Sequence, residues 1–321
     1  MTKLIDMLPL ANPLALAIDP VNLCNFRCKF CPTGTELGRN NRPNGIMKLE
    51  VFKKIINDLA QAKVKIKALK LWKDGEPLLH KQLPEMIAYA KKMDVCEQTR
   101  ITTNGTLLDR FGEKIIKAGL DWIMISYLSP RKEEYIKHSG TLKDPQNKIL
   151  ENVIQLSKAK KRLNSKTPHI AVKMCNFPHV TKEDIKKLHD DFGPFVDEIQ
   201  IHEEPMNWDG NHESDFTMGN DLQKIQKNKV CSYAWYQLNI NWNGQVSICA
   251  VDWSFKTIVG DASKESIVDI WNGEKLRNFR EMFSKQKHKA HPACGTCSLS
   301  LIHIRRCRRS TLCRSRWSPY H

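Results

Sequence analysis

No apolar run in this chain approaches the roughly 18 residues that a membrane span requires. The longest near the start, "LPLANPLALAI", is interrupted by Asn12 and two prolines. No secretory leader is recognisable either, so a membrane partner is excluded and a soluble cytoplasmic protein is expected. There is no internal repeat and, before the tail, no low-complexity tract, which excludes repeat arrays. Acidic residues are missing from the last stretch, "IHIRRCRRSTLCRSRWSPYH", whose six arginines carry over a third of the formal charge of +16. The remaining excess is dispersed lysine, as in "FKKIIND" and "EDIKKLHDD", on the solvated faces of amphipathic helices. What the chain does hold is 11 cysteines in 321 residues. In a protein without a leader these are not a disulfide framework, and thiols bunched in a reduced cell hold metal.

The length suits one large domain, or one of about 200 residues with a smaller companion. Short apolar runs alternate with helical patterns, which is the sequence form of repeated βα units on a parallel sheet. Strands are expected at 14–19, 68–72, 99–103, 122–126, 169–174 and 197–201. Between them lie the helical patterns "LEVFKKIINDLAQA", "LPEMIAYAKK", "RFGEKIIKAG", "NKILENVIQLSKAKKR" and "TKEDIKKLHDDF". The fold class expected is α/β, a partial (β/α)6 barrel that binds ligands at its C-terminal strand ends, followed by a small α+β module. The core occupies 1–202, a polar linker 203–229, the module 230–298, and a basic tail 299–321. The module opens on two alternating segments around Asn243-Gly244, a hairpin signal, and continues into one helix, "ESIVDIWNGEKLRNFREMF".

"NLCNFRCKFCPTG" places Cys24, Cys28 and Cys31 within eight positions directly after the first strand. Three thiolates on a short loop suit one face of an iron–sulfur cube, and the missing fourth ligand leaves one iron open to a cofactor or substrate. "CNFRCKFC", with Phe30 before the third cysteine, resembles the signature of the radical S-adenosylmethionine superfamily. "DGEPLLH" is similar to that family's Gly-Glu-Pro motif, which assigns Gly75, Glu76 and Pro77 to the methionyl group. "TTNGTLL" resembles the ribose-facing segment, with Asn104 as the contact and Ser126 on the next strand end as another. The resemblance implies a [4Fe-4S] cluster with an open iron, bound S-adenosylmethionine, Phe30 beside the adenine, and a low-potential electron donor such as flavodoxin or ferredoxin.

A second set, Cys231, Cys249, Cys294 and Cys297, flanks the hairpin and ends in C-x2-C. On spacing alone zinc and iron–sulfur both fit. "NWNGQVSIC", "GDASKESIVDIWNGEKLRNFR" and "CGTC" resemble the SPASM and twitch modules. The reduced set of four is more like the twitch form found in an aminocyclitol dehydrogenase, and it implies a closed auxiliary [4Fe-4S] cluster that carries electrons. Cys96 and Cys175 read as structural. Cys307 and Cys313 fall in a tail read as unstructured or frame-altered.

One radical-forming cluster and one electron carrier imply a two-electron oxidation, alcohol to ketone, of a sugar or aminocyclitol. Base candidates are Lys173, His202 and Glu203, with Lys73 and Asp74 beside "GEP". Met174, Trp72 and Trp122 read as core. A peptide or protein maturase is the alternative within the family, and an altered tail could also mark an inactive member. A zinc-stapled nucleic-acid-binding protein is the alternative outside it, but that leaves "DGEPLLH" and the βα units without a purpose.

Overall fold

The computed structural model describes residues 8–35, 43–141, 144–177, 179–202, 231–250 and 252–295. Glu203, Cys297, Cys307, Cys313, the 203–229 linker and the basic tail lie outside the described residues. Six strands, β1 (Ala15–Ile18), β2 (Ile66–Lys70), β3 (Cys96–Thr103), β4 (Trp122–Tyr127), β5 (His169–Cys175) and β6 (Glu198–His202), pair in parallel in chain order. The connecting helices are α1 (Leu49–Gln61), α2 (Leu83–Lys92), α3 (Leu108–Lys117), α4 (Lys132–Ser139), α5 (Gln146–Arg162) and α6 (Lys182–Phe192). α6 starts at a capping box in which the Thr181 hydroxyl and the Asp184 carboxylate each accept the other residue's backbone N–H.

Strand side chains alternate between two faces. Leu69, Ile101, Ile123, Ile125, Ile170 and Val172 are fully or nearly fully buried and join the helices in one core. Each such burial contributes about 1.5–3 kcal/mol. Their neighbours in sequence point to the other, concave face, where polar side chains stand among Ala68, Met124 and Ala171: Lys70 pairs with Arg100 in register, and Ser126 with Lys173 and Lys173 with Gln200. Met174 belongs to the core, as its sequence predicts. Trp72 and Trp122 do not; both are only partly buried, and Trp122 lies under the Arg100 guanidinium, 5.3 Å from its ring centroid. A tryptophan read as core thus serves as a cation-binding surface on the concave face.

The C-terminal module is built from α7 (Tyr233–Tyr236), β7 (Gln237–Ile240), β8 (Gln245–Ser247), β9 (Ile258–Asp261), α8 (Ile267–Asn272) and α9 (Glu274–Ser284). The expected hairpin forms, with Gly244 at φ +89° in its turn. Its first strand does more than the sequence indicates: β7 pairs in parallel with β1, giving one nine-stranded sheet of order β6-β5-β4-β3-β2-β1-β7-β8-β9. The single helix expected at its end is two, because the chain leaves helical geometry at Gly273 (ψ 160°), where α8 stops and α9 begins. Helix α4 was not expected either; "KEEYIKHS" is polar and short, and it shows little apolar periodicity.

The join between β1 and β7 is reinforced from the concave face. β1 offers only Ala15 and Ala17 there, so Lys70 on β2 reaches across it to donate to Gln237 Oε1 at 2.7 Å. Gln237 in turn donates to Asn239 Oδ1 at 2.6 Å. Burial, with Arg100 adding, pushes Lys70 down from 10.5 to about 7. Its charged form is therefore disfavoured by folding, and the unfolded chain binds more protons between those two values. Stability should rise with pH from about 7 towards 10.5 and be lowest, through this residue, below 7. Lys70→Met is expected to remove that rise, with an upper bound on the order of 5 kcal/mol. Denaturant midpoints of the two proteins across this range check it; parallel curves would show that the lysine is not desolvated.

Candidate active site

The loop after β1 is held by its backbone. Arg27 N donates to Ser139 O at 2.8 Å and Lys29 N to His138 O at 3.1 Å, tying it to the end of α4. Gly140 completes that end with φ +64°, and a Cβ there would stand 2.4 Å from Arg27 O. Cys31 N and Gly34 N close successive turns onto Cys28 O and Cys31 O. Cys24, Cys28 and Cys31 are thus presented together, all half-buried. Burial pushes the Cys24 thiol up to about 12, with the Glu76 carboxylate adding to it. Burial pushes Cys28 well above the ordinary thiol range, with Cys31 and Cys24 adding. A bound cation reverses this, since a coordinating thiol is deprotonated outright. Three thiols with no fourth on the loop suit a cluster with one open iron better than a closed four-thiolate ion site.

"GEP" follows β2 and packs directly on this loop. Glu76 N donates to Leu23 O at 2.8 Å, and a Cβ on Gly75 would meet Val21 O at 2.1 Å, so only glycine fits that approach. The Glu76 carboxylate is buried and accepts three hydrogen bonds, from Leu78 N at 3.0 Å, Thr103 Oγ1 at 2.7 Å and Asn104 N at 2.7 Å. Burial pushes it up to about 7 against the pull of those donors. Asn104 reaches back to the cysteine loop: its Nδ2 donates to Asn25 Oδ1 at 2.7 Å, and Asn25 Nδ2 donates to Thr106 Oγ1 at 2.9 Å. The loop, "GEP" and "TTNG" are therefore one hydrogen-bonded unit. Asn25, within "CNFRC", is a member that the sequence reading missed. Pro77 opens a buried 3-10 turn. Phe30 is partly buried and lies 5.1 Å from the Phe177 ring centroid.

Of the base candidates, Lys73 and Asp74 bond each other with side chains only 1% exposed, which removes both from contact with solvent or ligand. Lys173 is half-buried on the concave face between Ser126 and Gln200. His202, at the end of β6, belongs to a relay. Glu198 Oε1 accepts from Gln200 Nε2 at 2.8 Å, which orients the amide so that Gln200 Oε1 accepts from His202 Nε2 at 2.9 Å. Nε2 then carries the proton and Nδ1 the lone pair. His169 extends the relay, bonded through Nε2 to Glu198 Oε2 at 3.1 Å. The i, i+2 spacing on one strand face was the available signal.

In the module, Cys231 and Cys249 pack against Tyr233 together with Tyr236 and Ala250, and Cys294 lies partly buried on the main core.

The family model for the radical SAM superfamily matches residues 18–192, more than half of the chain. This chain belongs to the radical SAM superfamily. A second model, SPASM, an iron-sulfur cluster-binding domain, matches residues 231–298. The protein is thus a radical SAM enzyme whose cofactors are S-adenosylmethionine and [4Fe-4S] clusters. Among relatives, the GTP 3',8-cyclase of Chlorobaculum tepidum is 34% identical over 160 residues, 49% of this chain and 42% of the cyclase. The chain thus spans less than half the length of that relative. BtrN, solved in complex with AdoMet and 2-DOIA, shares the fold with TM-score 0.57 and 17% identity over 88% of this chain and 92% of BtrN. Streptococcus suis SuiB bound to precursor peptide SuiA shares it with TM-score 0.63 and 14% identity over 97% and 78%. No helix among the described residues is long and apolar enough to cross a membrane.

Proposed function

We propose that this radical SAM enzyme oxidises an alcohol to a ketone on a small polyhydroxylated substrate, a sugar or aminocyclitol. Cys24, Cys28 and Cys31 would hold the open cluster. Gly75, Glu76, Pro77, Asn104, Ser126 and Phe30 would hold S-adenosylmethionine, and Cys231, Cys249, Cys294 and Cys297 an auxiliary cluster. When bound, these groups supply a primary carbon radical for hydrogen-atom abstraction and a one-electron sink, together a two-electron oxidation. The observation that supports the substrate class is the C-terminal end of the concave face, where Ser126, Lys173, Gln200 and His202 offer hydrogen-bonding groups. Such a surface orients a substrate rich in hydroxyls.

His202 is the base in this reading. It takes the substrate proton, with Gln200 orienting its ring, and Lys173 beside it positions the hydroxyl. Glu203 follows it in the chain. The core, 1–202, carries this chemistry and the module, 230–298, the electron sink, with a flavodoxin or ferredoxin as donor.

The test is a screen for 5'-deoxyadenosine formation with sugars, aminocyclitols, GTP and peptides, using anaerobically reconstituted protein. A carbonyl product formed one-for-one with 5'-deoxyadenosine is expected from a cyclitol or sugar. His202→Ala should lower product formation about 100- to 10,000-fold while hydrogen transfer from substrate to 5'-deoxyadenosine persists. Turnover with peptides alone would replace this reading by a maturase. A rearranged product without net oxidation would replace it by a cyclase.

A further inference from the structure

We infer that the exposed residues of the cysteine loop, with Ile46 and Lys137 beside them, form the docking surface for an acidic one-electron carrier protein of the flavodoxin type. Its role rests on the radical chemistry proposed above and is independent of the substrate. From Leu23 to Phe30 exposure alternates along the loop. Cys24, Phe26, Cys28 and Phe30 are buried or half-buried, whereas Leu23, Asn25, Arg27 and Lys29 are exposed. Asn25 is committed to Asn104, which leaves Leu23, Arg27 and Lys29 for an outside partner. Leu23 precedes Cys24, and Arg27 and Lys29 flank Cys28. A carrier resting on these three side chains therefore stands over the thiols by the shortest path through the protein, and electron transfer falls off steeply with distance.

The surface is cationic. No acidic residue occurs from Pro20 to Thr35. Arg27 lays Nη1 on Cys24 O at 2.8 Å and on Phe26 O at 3.2 Å, and neither it nor Lys29 pairs with a carboxylate among the described residues. Lys137 extends the charge. It lies in the last turn of α4, where the carbonyls of His138 and Ser139 accept from Lys29 N and Arg27 N. Burial lowers the His138 pKa and the Lys137 and Lys29 charges add to it, so both ammonium groups lie close to that ring. Lys137 is 59% exposed and 4.0 Å from Glu134 Oε1, a separation and exposure at which the pairing is weak.

Beside these cations lies an apolar pair. The exposed large apolar side chains among the described residues are Leu23, at 39%, and Ile46, at 50%. Each alone would need no explanation. Both, however, fall in one corner: Val21 and Ile46 form an antiparallel bridge, and Gly45 N donates to Asn22 Oδ1 at 2.7 Å. Weak electron-transfer complexes bury little area, and opposite charge steers their encounter. A small apolar centre flanked by lysine and arginine meets both needs for a negatively charged carrier. The carrier loses one electron, the cluster on Cys24, Cys28 and Cys31 gains it, and no atom is transferred.

The probe is a purified, reduced flavodoxin added anaerobically to full-length protein with its clusters reconstituted, with dithionite as a small reductant that needs no docking surface. Cluster reduction is followed by EPR of freeze-quenched samples, the signal that shifts with S-adenosylmethionine marking the first cluster, and binding of oxidised flavodoxin by calorimetry. Reduction of wild type by flavodoxin should slow as salt is raised. Lys29→Glu combined with Lys137→Glu should slow it at least about tenfold at low salt and flatten the salt dependence, with binding weakened in parallel. Leu23→Gln should weaken binding about tenfold at every salt concentration. Dithionite should reduce all three proteins alike. Unchanged flavodoxin-driven rates in either variant, or a wild type that dithionite reduces and flavodoxin does not, would overturn the surface alone. An equal loss with dithionite would make these residues supports of the cluster and overturn the docking role. No dithionite-reducible cluster in wild type would overturn the cluster assignment and the surface together.

Discussion

Replacing Cys24, Cys28 and Cys31 together by alanine should lower iron from about eight to about four per chain and reduce 5'-deoxyadenosine formation to background. The variant should fold, because the loop is held by backbone bonds from Arg27, Lys29, Cys31 and Gly34 that no thiol makes. The thiols' own contacts, such as Phe26 N to Cys24 Sγ at 3.4 Å and Cys31 Sγ with Thr33 Oγ1 at 3.0 Å, are weak beside these, so the loss is chiefly one of ligation. Of the second set, Cys231 and Cys249 pack against Tyr233, away from these backbone bonds, and that set should keep its iron. Iron and sulfide analysis, with EPR of the reduced protein before and after S-adenosylmethionine is added, checks this. Wild type should show a spectral change on addition and the variant none. Zinc in place of iron in wild type would overturn the assignment of both sites, and four irons confined to the first would leave the module without its cluster.

Glu76→Ala should lose several kcal/mol of stability as well as cofactor binding. Its carboxylate satisfies Leu78 N, Thr103 Oγ1 and Asn104 N in a buried position, and each donor left without an acceptor costs about 1–3 kcal/mol. The sum is a large part of the roughly 5–15 kcal/mol that holds a domain folded. Glu76→Gln keeps the shape and one acceptor but turns an NH2 group towards a donor, so a loss of about 1–3 kcal/mol is expected. Thermal midpoints of the two variants, read beside S-adenosylmethionine binding by equilibrium dialysis, separate the roles. An unchanged midpoint in both would mean that this carboxylate does not brace the motif.

Much of the fold was legible because each βα unit is local. The apolar alternation in "WIMIS" and "HIAVKM" marks strands that form at Trp122–Tyr127 and His169–Cys175, and "LPEMIAYAKK" is α2 to the residue. The motifs of the site were legible for a different reason: "CNFRCKFC", "DGEP" and "TTNG" are short segments whose backbone path fixes their role. What escaped depends on pairing between distant residues. The alignment of β7 with β1 joins Ala15 to Gln237, and no local pattern encodes such a partner. Asn25 and Asn104 are 79 residues apart, and each is unremarkable until they meet. Glu134 and His138 show an i, i+4 spacing, but nothing local indicates that His179 stacks on His138 from the connection between β5 and α6. Trp122 misled because a large aromatic is usually buried for its area, whereas here it supports Arg100.

The parallel pairing of β7 with β1 also determines what can be cut away. Without the module, β1 would present a bare row of amide and carbonyl groups beside Leu16 and Ile18, and Lys70 would lose Gln237. A strand edge of that kind templates association with other chains. The radical-forming half is therefore not a modular cassette that could be excised and used alone. Its first strand is finished by a segment that the ribosome supplies more than 200 residues later.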